Sequence, residues 1–326
     1  MPRTKRSIAR TRNSLELVLP ATSANLGPAF DAAALALSMY LKVKARAAQS
    51  FGVTTDGRDA RMCSDAENNL ILDTYRDVLG AERKAVIPLS LECENEIPVG
   101  KGCGSSAAAR LAGIALAIHF GDLRWSDSRI VGEAARREHH PDNAAACWMG
   151  GLAIARMARA NQAQVVNLDP KGSWPLLLAI PEESLATDVA RRVLPAQYSR
   201  RDATRNLQNA MLLLAAFTQG RRELLASALD DRLHQPYRAR LCPLLPALQQ
   251  SVGGDGILGV ALSGAGPSVL IFLDAQTPIK KATTAIAAHL KRNNLSAELL
   301  ATEITAEGAS RGEDWRRKHR SSGRGN

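Results

Sequence analysis

One glycine-rich stretch constrains this chain more than any other: residues 98–109, Pro-Val-Gly-Lys-Gly-Cys-Gly-Ser-Ser-Ala-Ala-Ala. Glycine recurs at Gly100, Gly102 and Gly104, where it permits unusual backbone conformations and lets a ligand approach the main chain closely. A run of small and apolar residues with high helix propensity follows at residues 107–118. Because the free N–H groups and positive dipole end of that helix would face the loop, the stretch predicts a phosphate site.

The same pattern is also compatible with a simple strand-to-helix connection, because residues 86–91 read as a strand. Two well-known phosphate-binding motifs do not match this stretch of sequence. The Walker pattern requires Lys followed by Ser or Thr after its last glycine, whereas Lys101 lies between glycines. A dinucleotide-binding loop would open a βαβ unit near the chain start, whereas this loop lies a third of the way along the chain.

Composition favours a two-domain enzyme-sized protein rather than a membrane or secreted one. The 326 residues suit two domains, and the 45% hydrophobic but only 4% aromatic content predicts helices packed closely on sheets. No apolar run is long enough to span a membrane, and residues near the start lack a secretory apolar region. The five dispersed cysteines form no metal or disulfide pattern and indicate a reducing cytoplasm. Cys103, inside the glycine loop, is expected to be reachable by thiol reagents.

The basic character of the chain is concentrated in its ends. Removing the +5 of residues 1–14 and the +4 of residues 308–326 from the total of +10 leaves +1 for the body. The ends are poor in apolar residues, so we expect a disordered basic arm at residues 1–13 and a disordered basic tail at residues 306–326. A nucleic-acid partner is therefore not favoured for the folded body.

Two further loops carry polar and glycine-rich motifs. Residues 20–31, Pro-Ala-Thr-Ser-Ala-Asn-Leu-Gly-Pro-Ala-Phe-Asp, form a predicted loop between two strands, rich in side chains that hydrogen-bond a polar ligand. Residues 262–268, Leu-Ser-Gly-Ala-Gly-Pro-Ser, connect two other predicted strands. The later half of the chain reads as strand–helix–strand–strand–helix–strand, which is a split βαβ plan.

In this order the three motifs resemble those of the GHMP small-molecule kinases, named for galactokinase, homoserine kinase, mevalonate kinase and phosphomevalonate kinase. The resemblance spans about residues 14–304. It implies an α+β GHMP kinase fold, with an N-terminal ribosomal-protein-S5-like domain at residues 14–168. The C-terminal domain at residues 169–305 would be ferredoxin-like. A homodimer is also implied.

Three later segments are most similar to the homoserine kinase branch of this family. They are His-Pro-Asp-Asn at residues 140–143, Arg-Arg-Val-Leu-Pro at 191–195 and Asp-Arg-Leu-His-Gln-Pro-Tyr-Arg at 231–238. The resemblance implies phosphorylation of L-homoserine by ATP with Mg²⁺, a step of threonine biosynthesis. A GHMP kinase for another small alcohol, or a non-catalytic binding protein on the same scaffold, are the alternatives.

The resemblance also implies roles for individual residues. The ATP phosphates would be held by Pro98, Val99, Gly100, Lys101, Gly102, Cys103, Gly104, Ser105 and Ser106. The homoserine ligands would be Asn25, Asp31, Asn143, Arg191 and Arg238. Magnesium would meet Ser106 and Glu138, with Glu133 as a competing carboxylate, since hard cations prefer oxygen ligands.

Catalysis is implied for Asn143, His140, Asp142 and Arg238. Asn143 stands where several family members have an aspartate, so we expect it to position the hydroxyl while the proton passes to the phosphate or to solvent. His140 and Asp142 stay open as bases, His140 because an imidazole titrates near neutrality. The chain departs from the family at Ala29, which stands where a glycine is usual, and its methyl group fits only with a negative φ.

Overall fold

Two antiparallel-rich sheets form the framework of the computed structural model, which describes residues 13–319. Residues 1–12 and 320–326, which include most of the predicted basic arm and the end of the predicted tail, lie outside the described residues. The strands of the first sheet are β1 (Ser14–Ala24), β2 (Ala33–Ala47), β3 (Gly52–Gly57), β4 (Leu89–Asn95), β5 (Leu152–Arg159) and β6 (Gln162–Leu168). Their order is β3-β4-β2-β5-β6, with β1 paired to β2 and only β3 and β4 parallel.

The second sheet has four antiparallel strands. They are β7 (Leu176–Ile180), β8 (Ile257–Leu262), β9 (Val269–Leu273) and β10 (Glu298–Thr302). Their order is β10-β7-β9-β8, which is the arrangement of a split βαβ unit, so the predicted α+β class is confirmed. The first sheet ends at Leu168 and the second begins at Leu176, and the domain boundary at residue 168 stays a prediction.

Helices cover the sheets and connect them. Their bounds are α1 (Ala60–Cys63), α2 (Leu70–Ala81), α3 (Ser105–Phe120), α4 (Asp127–Glu138), α5 (Asp142–Met149), α6 (Thr187–Arg192), α7 (Arg200–Gln219), α8 (Leu225–Ala228), α9 (Gln235–Arg238), α10 (Leu244–Gln249), α11 (Ile279–Arg292) and α12 (Glu313–His319). Short 3₁₀ turns lie at Arg222–Leu224, Ala239–Leu241 and Ala309–Arg311.

Helix α3 lies at the centre of the N-terminal half. It is alanine-rich and buried along most of its length. A Cβ atom at Gly113 would lie 2.7 Å from the Cβ of Thr74 and even closer to the carbonyl oxygen of Ile71, so α2 and α3 approach each other at the distance only glycine allows. This packing holds the middle of α3 against α2, and the N-terminal end of α3 follows directly on the glycine-rich loop.

Two local predictions were wrong, and both errors concern the site. Residues 20–24 belong to β1, which continues past a register shift between Pro20 and Ala21, so the loop before β2 is residues 25–32. Helix α5, which begins at Asp142 directly after Pro141, was not predicted from the sequence. In the structure Pro141 is the N-cap residue of α5, which is compatible with the fixed φ of proline.

The expectation of a disordered tail at residues 306–326 is wrong for residues 306–319. Helix α12 packs on β1, and its Trp315 is 7% exposed, with its ring edge-on to Trp148 at a centroid distance of 5.0 Å. The carboxylate of Asp314 accepts a hydrogen bond from the main-chain N–H of Glu16 at 3.0 Å. One buried aromatic side chain and a few polar contacts thus order a segment whose composition is polar and basic.

Candidate active site

The three sequence motifs meet around one cavity. The side-chain amide of Asn25 donates to the carbonyl of Gly264 at 2.7 Å, and the Gly264 N–H donates to the carbonyl of Ala24 at 3.1 Å. The Ser263 hydroxyl donates to the carbonyl of Gly102 at 2.8 Å. The cavity is lined by Asn25, Asp31, Gly100, Gly102, Gly104, Ser105, Ser106, Ala107, Glu138, His140, Asp142, Asn143, Leu185, Thr187, Arg191, Arg238, Gly264, Ala265 and Gly266.

Four residues of the predicted phosphate loop do not line this cavity: Pro98, Val99, Lys101 and Cys103. The ammonium group of Lys101 instead donates to the main-chain carbonyl of Glu182. Cys103 is 1% exposed, and burial raises the pKa of its thiol to about 12. The expectation that thiol reagents reach Cys103 is therefore wrong, because its side chain points into the core.

The glycines of the loop are required by its backbone. Gly100, Gly102 and Gly104 have φ values of 70°, 80° and 74°, which favour glycine strongly. A Cβ atom at Gly102 would lie 2.7 Å from the carbonyl oxygen of Gly266 and closer still to that of Ser263. Gly104 is the N-cap of α3, so the first N–H groups of the helix open into the cavity and fit a phosphate.

A hydroxyl and a carboxylate lie together beside this loop. The Ser106 hydroxyl donates to Oε1 of Glu138 at 2.7 Å, and both residues line the cavity. The competing carboxylate, Glu133, lies elsewhere on α4 and accepts hydrogen bonds from Arg136 at 2.8 Å and Arg137 at 2.9 Å. Geometry therefore favours Glu138. One hydroxyl and one carboxylate beside a phosphate site fit Mg²⁺, which takes its remaining ligands from phosphates and water.

The sequence reading missed Arg110, which contacts the same carboxylate. Its Nε donates to Oε1 of Glu138 at 2.5 Å. Arg110 follows Ser106 by four residues on α3, so both side chains lie on one face of the helix. That spacing is the only signal in the sequence, and it does not by itself identify Glu138 as the partner.

At the other end of the cavity, two predicted substrate ligands pair with each other. Arg191 donates to both carboxylate oxygens of Asp31, at 2.6 and 3.0 Å. The main-chain N–H of Asp31 donates to the side-chain carbonyl of Asn25 at 2.9 Å. Asn25, Leu26 and Asp31 have φ values of 71°, 43° and 53°, so the loop holds three non-glycine residues at positive φ. Ala29 is not among the residues with positive φ, as its methyl group requires.

Arg238 is 1% exposed and is held by two neighbours. Its Nε donates to the carbonyl of Ala190 at 3.0 Å, and its Nη1 donates to Nδ1 of His234 at 3.1 Å. The opposite nitrogen of His234 contacts the carbonyl of Gly27 at 2.8 Å, which requires the neutral tautomer with its proton on Nε2. Burial lowers the pKa of His234 to about 4, and burial together with Arg191 lowers the pKa of Arg238 to about 10.

The sequence reading also missed the residues that support or border this end of the cavity. His234 stacks on Phe30 with ring centroids 5.1 Å apart, and the Arg238 guanidinium lies 5.4 Å from the same ring. Thr187 lines the cavity on α6, four residues before Arg191 and therefore on the same helix face.

Between the two ends lies the first turn of α5. Asp142 is 1% exposed, and its Oδ1 contacts Nδ1 of His140 at 2.7 Å and accepts from the Asn143 N–H at 2.7 Å. Burial lowers the pKa of His140, but the hydrogen bond and the charge of Asp142 outweigh it, so the pKa is raised above its ordinary value. The side-chain carbonyl of Asn143 accepts from the Thr22 hydroxyl at 2.6 Å.

Comparison with known proteins identifies the family. The GHMP kinase N-terminal domain matches residues 69–151 and the GHMP kinase C-terminal domain matches residues 213–292. A homoserine kinase of Solibacter usitatus is 44% identical over 79% of this chain and 84% of its own. The chain belongs to the GHMP kinase family. Its relatives there include a homoserine kinase of Deinococcus radiodurans, 35% identical over 89% of this chain and 94% of that protein.

A solved structure of a homoserine kinase has the same fold as this chain. The crystal structure of a homoserine kinase from Cytophaga hutchinsonii superposes with a TM-score of 0.75 at 24% identity, covering 93% of this chain and 98% of that one. The expected GHMP kinase fold is thereby confirmed. Among residues 13–319, no helix combines the length and the apolar character needed to cross a membrane.

Proposed function

We propose that this GHMP kinase transfers the γ-phosphoryl group of ATP to the side-chain hydroxyl of L-homoserine, giving O-phospho-L-homoserine for threonine biosynthesis in the cytoplasm. One observation carries the proposal. A single cavity has a phosphate-binding loop with Ser106 and Glu138 at one end, and Asp31, Arg191 and Arg238 at the other. The relatives named above are homoserine kinases, and the site residues match the chemistry of that reaction.

The charged end suits a free amino acid. An α-carboxylate pairs best with arginine, whose planar fork binds both oxygens, and Arg191 and Arg238 both border the cavity. An α-ammonium group pairs with a carboxylate such as Asp31. Asp31 and Arg191 neutralise each other in the structure, so an incoming zwitterion can exchange that internal pair for its own two charges. A substrate carrying only negative charge would leave Asp31 unpaired.

The phosphate end suits ATP with magnesium. Loop N–H groups and the start of α3 would hold the phosphates, and Ser106 and Glu138 would hold the ion. Magnesium, when bound, neutralises the charge of the phosphates. Arg110 contributes a further positive charge next to Glu138 and holds that carboxylate in place.

The residues between the two ends argue against a strong general base. Asp142 is buried, and its Oδ1 accepts from the Asn143 N–H and contacts Nδ1 of His140, so the two candidate bases are engaged with each other. We infer that Asn143 positions the substrate hydroxyl and that the proton passes to the phosphate or to solvent. An active Asn143→Ala variant, together with an Asp142→Asn variant inactive at saturating substrate, would contradict this assignment.

The test is ADP release from Mg·ATP with a panel of acceptors: L-homoserine, L-serine, L-threonine, mevalonate and shikimate. We expect strong turnover with L-homoserine only. Turnover with mevalonate or shikimate, which carry no ammonium group, would keep the phosphate site but remove Asp31, Arg191 and Arg238 as amino-acid ligands. No turnover with ATP still bound would favour a non-catalytic binding protein. The homodimer implied by the family is a separate proposal, which sedimentation velocity tests.

A further inference from the structure

The hydroxyl of Thr22 is buried beside the reacting end of the cavity, and the reaction proposed above gives it no role. Thr22 lies in β1 and is 0% exposed. Its hydroxyl donates to Oδ1 of Asn143 at 2.6 Å, and its main-chain N–H donates to the carbonyl of Cys103 at 3.0 Å. The residue therefore contacts both the phosphate loop and the side chain predicted to meet the acceptor hydroxyl.

This contact determines which way the amide of Asn143 faces. Among residues 13–319, the Asn143 carbonyl is the only acceptor that the Thr22 hydroxyl has, and Nδ2 of Asn143 has no protein partner. If the amide were flipped, Nδ2 would donate to the hydroxyl and the hydroxyl proton would lose its acceptor. Leaving a buried donor without a partner costs about 1–3 kcal/mol, so the observed orientation is favoured.

Thr22 is also held firmly in place. A Cβ atom at Gly104 would overlap the Thr22 hydroxyl and would lie 3.2 Å from the Thr22 main-chain nitrogen. The Thr22 hydroxyl therefore lies in close contact with both the N-cap residue of α3 and the first turn of α5. Small displacements of positioned groups have large kinetic effects, on the order of 10²-fold for 1 Å.

We propose that Thr22 is a positioning residue that fixes the Asn143 amide with its N–H groups, and not its carbonyl, toward the acceptor hydroxyl. The inference rests on the proposed function. In this orientation Asn143 donates to the hydroxyl oxygen and aligns one lone pair for attack. The Asn143 carbonyl accepts from Thr22 and faces away from the acceptor hydroxyl in this orientation, so the hydroxyl proton leaves to the phosphate or to solvent.

Three substitutions at Thr22 separate the hydroxyl from the methyl group. Thr22→Val keeps the shape and removes the hydroxyl, Thr22→Ala removes both groups, and Thr22→Ser keeps the hydroxyl alone. We expect kcat with L-homoserine to fall roughly tenfold or more in the Val and Ala variants, with KM for ATP and for L-homoserine within about threefold of wild type. Thr22→Ser should retain most of the wild-type kcat.

The chain offers a matched control at Thr74. This threonine is 1% exposed on α2, and within residues 13–319 its hydroxyl has no hydrogen-bond partner. Thr74→Val should therefore leave kcat and both KM values unchanged. If Thr22→Ser were as slow as Thr22→Val, or if Thr74→Val lost as much activity, the effect would come from packing and the proposal would be overturned.

A double-mutant cycle tests whether Thr22 acts through Asn143. In an Asn143→Ala background, Thr22→Val should lower kcat no further, because the partner is already absent. Additive losses from the two substitutions would overturn the proposal.

A readout without turnover keeps the test independent of the reaction itself. The side-chain amide ¹H–¹⁵N resonances of Asn143, assigned by their loss in Asn143→Ala, should shift in Thr22→Val and not in Thr74→Val. Unshifted resonances in Thr22→Val would overturn the positioning role. Wild-type protein that fails to phosphorylate L-homoserine would instead refute the proposed function, and the amide resonances would still decide the contact.

Discussion

The docking of α12 gives a stability prediction that can be worked out from the structure. Trp315 is 7% exposed, and its ring meets Trp148 edge-on at 5.0 Å. Trp148 lies on α5, and its indole N–H donates to Asp127 at 2.7 Å. Because Asn143 occupies the first turn of that helix, Trp315 supports the element that carries a predicted substrate ligand.

Replacing Trp315 by alanine should be strongly destabilising. Truncating a buried tryptophan costs about 3–5 kcal/mol, of which an aromatic pair accounts for about 0.5–1.5 kcal/mol. The lower end applies here because α12 is peripheral and can shift to fill part of the space. At about 2–4 °C per kcal/mol for a domain of this size, 3 kcal/mol corresponds to a fall in Tm of about 6–12 °C. Thermal unfolding followed by circular dichroism measures this fall in Tm.

A control in the same helix separates packing from charge. The side chain of Arg317 is 77% exposed and pairs with Asp314, and such surface pairs contribute at most about 1 kcal/mol. Arg317→Ala should therefore change Tm by no more than about 4 °C. If Trp315→Ala unfolded at the same temperature as wild type or as Arg317→Ala, α12 would not be docked, and the expectation of a disordered tail would be correct after all.

Three further predictions concern the site. Asp31→Asn should raise KM for L-homoserine about 10–100-fold with little change in KM for ATP, because the substrate ammonium group loses the carboxylate that pairs with it. Equal rises in both KM values would contradict this assignment of Asp31. Gly102→Ala should abolish ATP binding in titration calorimetry, because the added Cβ atom overlaps the carbonyl groups of Ser263 and Gly266. An unchanged affinity for ATP would exclude this loop as the phosphate site. Burial lowers the pKa of His234 to about 4 in the folded protein. As the pH falls, this residue is therefore protonated in the unfolded chain before it is protonated in the folded one. Its contribution to stability should be complete above pH 6.5 and lost as pH falls toward 4, a slope that urea unfolding should show in wild type and not in His234→Gln.

The sequence predicted the parts of the site that are encoded locally. The glycine loop, the helix after it and the split βαβ plan all follow from short patterns of glycine, apolar period and turn residues, and the structure has them in the expected places. The motif residues Asn25, Asp31 and Asn143 also meet at one cavity.

The remaining features depend on contacts between distant segments. Thr22 and Asn143 are 121 residues apart, and Arg191 and Asp31 are 160 apart, so no local pattern reveals either pair. Helix α12 was missed because composition favours disorder there, whereas one tryptophan finds a buried partner on α5. A deletion that tests the basic tail should therefore begin after residue 319 and spare the helix.

The most direct test of the central claim is the ³¹P NMR spectrum of the reaction of wild-type protein with Mg·ATP and L-homoserine. We expect a phosphate monoester resonance, split by the two protons of the neighbouring carbon, that grows in step with ADP. Removal of L-homoserine should abolish it. A spectrum in which ADP accumulates with inorganic phosphate alone would contradict phosphoryl transfer to homoserine.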